Sequence, residues 1–163
     1  MNDSLTGCGE GLSPVIALHG VALPSLTGVL SDDVTDGSIR LTLQTDWAGS
    51  DEGDASLFVI LTPFTFPNRV ELIKLDQFLR FIVAESSNHE VDISVRNTAW
   101  QPGVHTIAAS WDQGTMTLAI DGMPSGQATV GAVLLASGAQ VRVGSETSPG
   151  TTFRDVVFEA ARR

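Results

Sequence analysis

Residues 105–122, HTIAASWDQGTMTLAIDG, alternate apolar and polar side chains in two runs around a glycine-containing turn. Ile107, Ala109 and Trp111 share one parity against Thr106, Ala108 and Ser110, and Met116, Leu118 and Ile120 repeat it against Thr115, Thr117 and Ala119. Successive side chains of a strand point to opposite faces. The spacing therefore predicts two half-buried strands, with Ile107, Ala109, Trp111, Leu118 and Ile120 directed into one core. Between them, Gly114 can take a positive φ without a Cβ clash and Asp112 can bond its own backbone. Asp121 followed by Gly122 favours a tight type I′ turn into a third strand.

The same period recurs along the chain. Ile39, Leu41 and Leu43 alternate with Arg40, Thr42 and Gln44, and SLFVIL (56–61) is a continuous apolar run of the kind found in strands buried on both faces. RVELIKL (69–75), FLRFIVA (78–84) and EVDISVR (90–96) follow, with turns expected at Asp76-Gln77 and at ESSNH (85–89). QATV (127–130), AQVRVG (139–144) and FRDVVFEA (153–160) continue the series, and VIALHGVAL (15–23) adds an early strand. No stretch has a helical period long enough to compete. Many short strands separated by Gly- and Asp-rich turns predict an all-β chain of two packed antiparallel sheets, or a barrel.

Length and charge narrow the picture. The 163 residues fit a single domain, residues 15–163, behind an N-terminal arm, residues 1–14, that is the candidate contact for an oligomer or lattice neighbour. The net charge of -10, from 19 acidic and 9 basic residues, repels phosphate backbones and anionic headgroups, so nucleic acid is not an expected partner. Membrane insertion is not expected either, because the longest mostly apolar segment, LFVILTPFTF (57–66), contains Pro63 and is far shorter than the roughly 20 residues of a spanning helix. The lone Cys8 cannot form an intramolecular disulfide; LTGC (5–8) resembles a lipobox but lacks the basic and apolar regions that precede one, and no export signal is visible.

The succession WQPG (100–103), VHTIAASWD (104–112), TMTLAIDG (115–122), VRVGS (141–145) and FRDVVFEA (153–160) resembles the C-terminal half of laminin G-like, or concanavalin A-like, jelly-roll domains. The resemblance covers residues 100–160, and residues 38–61 fit the earlier sheet. It implies a two-sheet jelly-roll β-sandwich in a superfamily of lectins, adhesion modules, glycan hydrolases and virion proteins. Members that bind ligands do so at a rim of loops, often with calcium, or on a concave sheet face.

Glucanases of that superfamily resemble one another in a strand carrying Glu, Asp and Glu at alternate positions, where paired carboxylates divide the work of nucleophile and acid. Here EVDIS supplies Glu90 and Asp92, but Ser94 takes the third place. The chain is therefore expected not to be an enzyme. The expected function is a non-catalytic recognition module for a glycan or protein partner, extracellular or at a particle surface; the alternative is a structural decoration subunit of a virion or other lattice.

Two sets of residues are candidates for binding. Trp47 and Trp100, at strand ends, offer flat apolar surface for a sugar ring or a protein partner, unless they serve as lids over the core. The absence of Tyr weakens the case for a dedicated sugar site. Asp46, Asp51 and Asp54 belong to an acidic run that also holds Asp32, Asp33, Asp36 and Glu52, with Arg40 its only cation. Calcium takes about six to eight oxygen ligands, which such loops can supply, making calcium the candidate cofactor; the other reading is turn-forming, solubilising acids. His19, His89 and His105 lie apart at no metal-ligand spacing, and His105 is expected to be a structural polar residue at a strand start.

Overall fold

A computed structural model describes residues 12–62, 69–85, 89–145 and 150–162, and among these the alternation resolves into strands with no helix. In chain order they are β1 (Ser13–Leu23), β2 (Ser25–Val29), β3 (Val34–Thr45), β4 (Ala55–Leu61), β5 (Arg69–Leu75), β6 (Phe78–Ala84), β7 (Glu90–Arg96), β8 (Gly103–Asp112), β9 (Thr115–Ile120), β10 (Met123–Thr129), β11 (Gln140–Gly144) and β12 (Thr151–Arg162). They form two six-stranded antiparallel sheets, β1-β12-β3-β8-β9-β10 and β2-β11-β4-β5-β6-β7. The chain is an all-β, two-sheet antiparallel sandwich.

The β8–β9 hairpin has the expected register. Ile107 faces Ile120, Ala109 faces Leu118 and Trp111 faces Met116. Ile107, Ala109, Trp111 and Leu118 are buried, while Ile120 is partly buried against the same core. Gln113 and Gly114 (φ 48° and 80°) and Asp121 and Gly122 (φ 51° and 76°) make two-residue turns with both φ values positive, as a type I′ turn requires. Trp111 and Phe158 of the first sheet meet Phe81 and Phe58 of the second, with ring centroids 5.4 Å apart for Phe58 and Phe158 and 6.4 Å for Phe81 and Trp111. Gly37, across from Trp111, has no side chain because a Cβ there would overlap the indole.

β4 explains its unbroken apolar run. Phe58, Ile60 and Leu57 are all fully buried, a shift of register between Ser56 and Phe58 accommodating the extra residue. β2 was not legible as a strand; SLTGV gains its place by pairing with β11. The pairing of β1 with β12 begins at Ser13 and Pro14, so the sandwich starts inside the segment assigned to the arm. The remainder of that arm, residues 1–11 with Cys8, lies outside the described residues.

The strand directions gather the loops at two rims. One rim carries residues 46–54, 76–77, 97–102, 121–122 and Gly150; the other carries 30–33, 113–114 and 130–139. At one side the sheets close on each other, since β10 packs on β7 where Gly126 leaves room for Ile93.

Candidate functional site

Trp47 and Trp100 come together at the first rim. Their rings stack with centroids 5.4 Å apart and planes within 10°, and Trp100 also stacks with His105 at 3.8 Å. Each indole N–H is satisfied: Trp47 Nε1 donates to Thr151 Oγ1 (2.9 Å) and Trp100 Nε1 to Thr45 Oγ1 (3.0 Å). His105 is hydrogen-bonded through Nδ1 to Asp121 (2.8 Å) and through Nε2 to the Gln101 carbonyl (2.6 Å). Trp100 is only 4% exposed and Trp47 half-buried against the core. The pair thus ties β3, β8 and β12 together at the rim, and Trp100 presents no open surface on which a sugar ring could lie.

Beneath Trp47 lies a group that the strand pattern marks but that was passed over. Lys74 has the parity of Val70 and Leu72, the inward face of β5, and is 2% exposed. An ammonium so buried is tolerated only when all its donors are used. Lys74 Nζ donates to the carbonyls of Asp51 (2.8 Å), Gly53 (2.8 Å) and Asp76 (2.7 Å), and stands 5.4 Å from the Trp47 ring centroid in a cation–π contact. It fastens the 46–54 loop to the β5–β6 turn. A second fastening joins that loop to residues 97–100, where Gly49 N–H donates to the Trp100 carbonyl (2.9 Å) and a Cβ on Gly49 would overlap the Asn97 carbonyl.

The three aspartates expected to share a cation point to different partners. Asp51 Oδ2 accepts the Ala48 N–H (2.7 Å), Asp54 Oδ1 accepts the Asp76 N–H (3.3 Å), and Asp46 lies against Gly150, whose carbonyl accepts the Asp46 N–H (2.9 Å). Among the described residues no three His, Cys, Asp or Glu side chains are gathered as a metal would need. Asp46 is exposed, accepts no hydrogen bond from a described residue, and borders a depression of about 210 Å³ lined with Gln44, Thr45, Gly150 and Thr152.

Glu90 and Asp92 stand on the outward face of β7, each taken up by an arginine. Arg69 pairs with Glu90 (3.0 Å) and with Glu71 (3.6 Å), and Arg80 pairs with Asp92. The hydrogen bond that Arg80 donates to the Asp92 carboxylate is the main cause that holds its guanidinium above its ordinary pKa. Ser94 follows at the third place, so this face presents ion pairs where a glucanase would present acid and nucleophile.

No family model matches the sequence, and no curated protein sequence matches it. The fold, in contrast, has solved counterparts in neurotoxin binding domains. The chain is similar to the botulinum neurotoxin serotype G binding domain (TM-score 0.66, 9% identity, over 96% of this chain and 43% of that one). It is similar also to the binding domain of botulinum neurotoxin DC in complex with SialylT (TM-score 0.64, 13% identity, over 93% and 48%). A third is the serotype D ligand binding domain in complex with N-acetylneuraminic acid (TM-score 0.63, 9% identity, over 93% and 43%). The chain spans less than half the length of these three structures. At such identities the likeness is one of fold alone, a two-sheet antiparallel β-sandwich.

Proposed function

We propose that the chain is a non-catalytic carbohydrate-recognition domain of a cell or particle surface, which binds the hydroxyl groups of a glycan through the loops of the first rim. The observation that carries this reading is the Asp46 depression, where an exposed carboxylate that accepts no hydrogen bond from a described residue stands beside the amide of Gln44 and the hydroxyl of Thr152. Sugar hydroxyls donate to such a carboxylate, and its position is fixed beforehand by the Lys74 and tryptophan fastenings, which lowers the ordering cost of binding. The complexes named for two of the structural counterparts support a saccharide as the general class of ligand. Within the sandwich architecture we group the chain with laminin G-like and concanavalin A-like domains, on the succession of β8, β9, β11 and β12.

Lys74 does for the rim what calcium does elsewhere, drawing several carbonyl oxygens onto one positive charge, and the proposal needs no resident ion. Calcium held by Asp46, Asp51 and Asp54 is the rival organiser of the same loops. An assembly role through residues 1–14 draws no support from the structural counterparts. A glycan array probed with the protein and with Asp46→Ala tests the reading. Binding that the substitution abolishes, at unchanged melting temperature, is the expected result; binding unaffected by it moves the site off this rim.

A further inference from the structure

The outward face of the second sheet holds four arginines, Arg69, Arg80, Arg96 and Arg142, and they are not alike. Arg69 and Arg80 are neutralised by Glu71, Glu90 and Asp92. Arg142, on β11, is exposed, gives one hydrogen bond, from Nη2 to Gln140 Oε1 (2.9 Å), and has no carboxylate of a described residue in ion-pair contact. Arg96, at the end of β7, likewise gives one hydrogen bond, to Gln77 Oε1 (3.2 Å), and Arg142 is set apart by its position between two depressions.

Its surroundings are shaped for a ligand. Arg142 faces Thr27 on one neighbour strand and Val59 on the other, and this row divides two depressions. One, of about 510 Å³, is lined by Ser25, Thr27, Ser56, Val59, Gly144 and Ser145 with Arg142; the other, of about 380 Å³, is lined by Thr27, Gly28, Val29, Gln140 and Val141 with Arg142. At the end of the larger one the chain turns at Gly144, whose φ of +68° and close approach to the Pro24 carbonyl and the Phe153 ring leave no place for a side chain. A planar guanidinium with spare donors binds a carboxylate or a sulfate two bonds at a time, and hydroxyl side chains beside it suit the hydroxyls of a sugar.

We propose that this face binds an anionic saccharide, a sugar bearing a carboxylate or sulfate group, with Arg142 as the residue that receives the anion and the two depressions as places for adjoining rings. The inference rests on the reading of the chain as a carbohydrate-recognition domain, but on a different face and for a different charge of ligand. The acidic first rim repels anions, whereas Arg142 lies on the sheet, where screening over about 8 Å at physiological salt leaves short-range contact to decide.

The test is isothermal titration of the wild type, Arg142→Gln and Arg40→Gln with a glucuronate-bearing disaccharide, its sulfated analogue, its neutral glucose analogue and inorganic sulfate. Arg40 is exposed on the other sheet, so its variant controls for the loss of one positive charge. At least one acidic disaccharide is expected to bind the wild type and Arg40→Gln alike, weakened about tenfold or more in Arg142→Gln at unchanged melting temperature. The arm that binds distinguishes carboxylate from sulfate. Equal affinity of wild type and Arg142→Gln overturns the proposal, as does sulfate alone binding as tightly as the sulfated disaccharide. Binding of the neutral disaccharide alone, lost in Asp46→Ala, also overturns it while leaving the rim reading in place; no saccharide bound by any of these proteins, nor on the array, removes both.

Discussion

Single residues carry two of the strongest expectations. Trp111, 1% exposed between the sheets, was legible from its parity with Ile107 and Ala109. Trp111→Ala is expected to destabilise the fold by about 3 to 5 kcal/mol in urea unfolding, the cost of truncating a large buried aromatic. Lys74 was equally legible in principle, since it shares the parity of Val70 and Leu72, but a charge on a core-facing position reads as an anomaly until its acceptors are known. Those acceptors are main-chain carbonyls from residues 51, 53 and 76, and no side-chain pattern announces them. Lys74→Met leaves all three without their donor, at a cost of about 1 to 3 kcal/mol where water replaces it imperfectly. A thermal melt indistinguishable from wild type would show that the ammonium does not hold the rim. For Trp47 and Trp100 the sequence placed both at strand ends; that they stack on each other depends on loops 46–54 and 97–102 meeting across two sheets, which alternation does not encode.

At the scale of elements, strands announced themselves where one face is buried and the next is wet. β5, β6 and β7 were bounded to the residue, whereas β2, with only Leu26 packed on the core among five residues, had too little alternation to be recognised. β7 also bears on glucanase-type catalysis, because its outward carboxylates are engaged by Arg69 and Arg80. Assays against a panel of β-glucans are expected to give no product above a Glu90→Gln control, and turnover abolished by that substitution would overturn the non-catalytic reading. The 46–54 loop makes the matching prediction for metal. With its carbonyls on Lys74 and the Asp51 and Asp54 carboxylates on backbone N–H groups, melting curves in calcium and in chelator are expected to coincide. A rise of several degrees in calcium would install the ion as the rim's organiser.

The whole molecule is joined chiefly by strands distant in sequence. β12 lies between β1 and β3, zipping from Leu23 and Thr45 at one rim to Ser13 and Val34 at the other, and it contributes Phe153, Val156, Phe158 and Ala160 to the core. Removal of residues 151–162 is therefore expected to abolish the cooperative unfolding transition, where loss of a peripheral strand would only shift it. The central place of β12 also sets a timetable for biosynthesis. Until these residues leave the ribosome, β1 and β3 have no partner between them, so the first sheet cannot close before β12 emerges. Folding of the sandwich waits on β12, and the nascent chain must be kept from association with other chains throughout that interval.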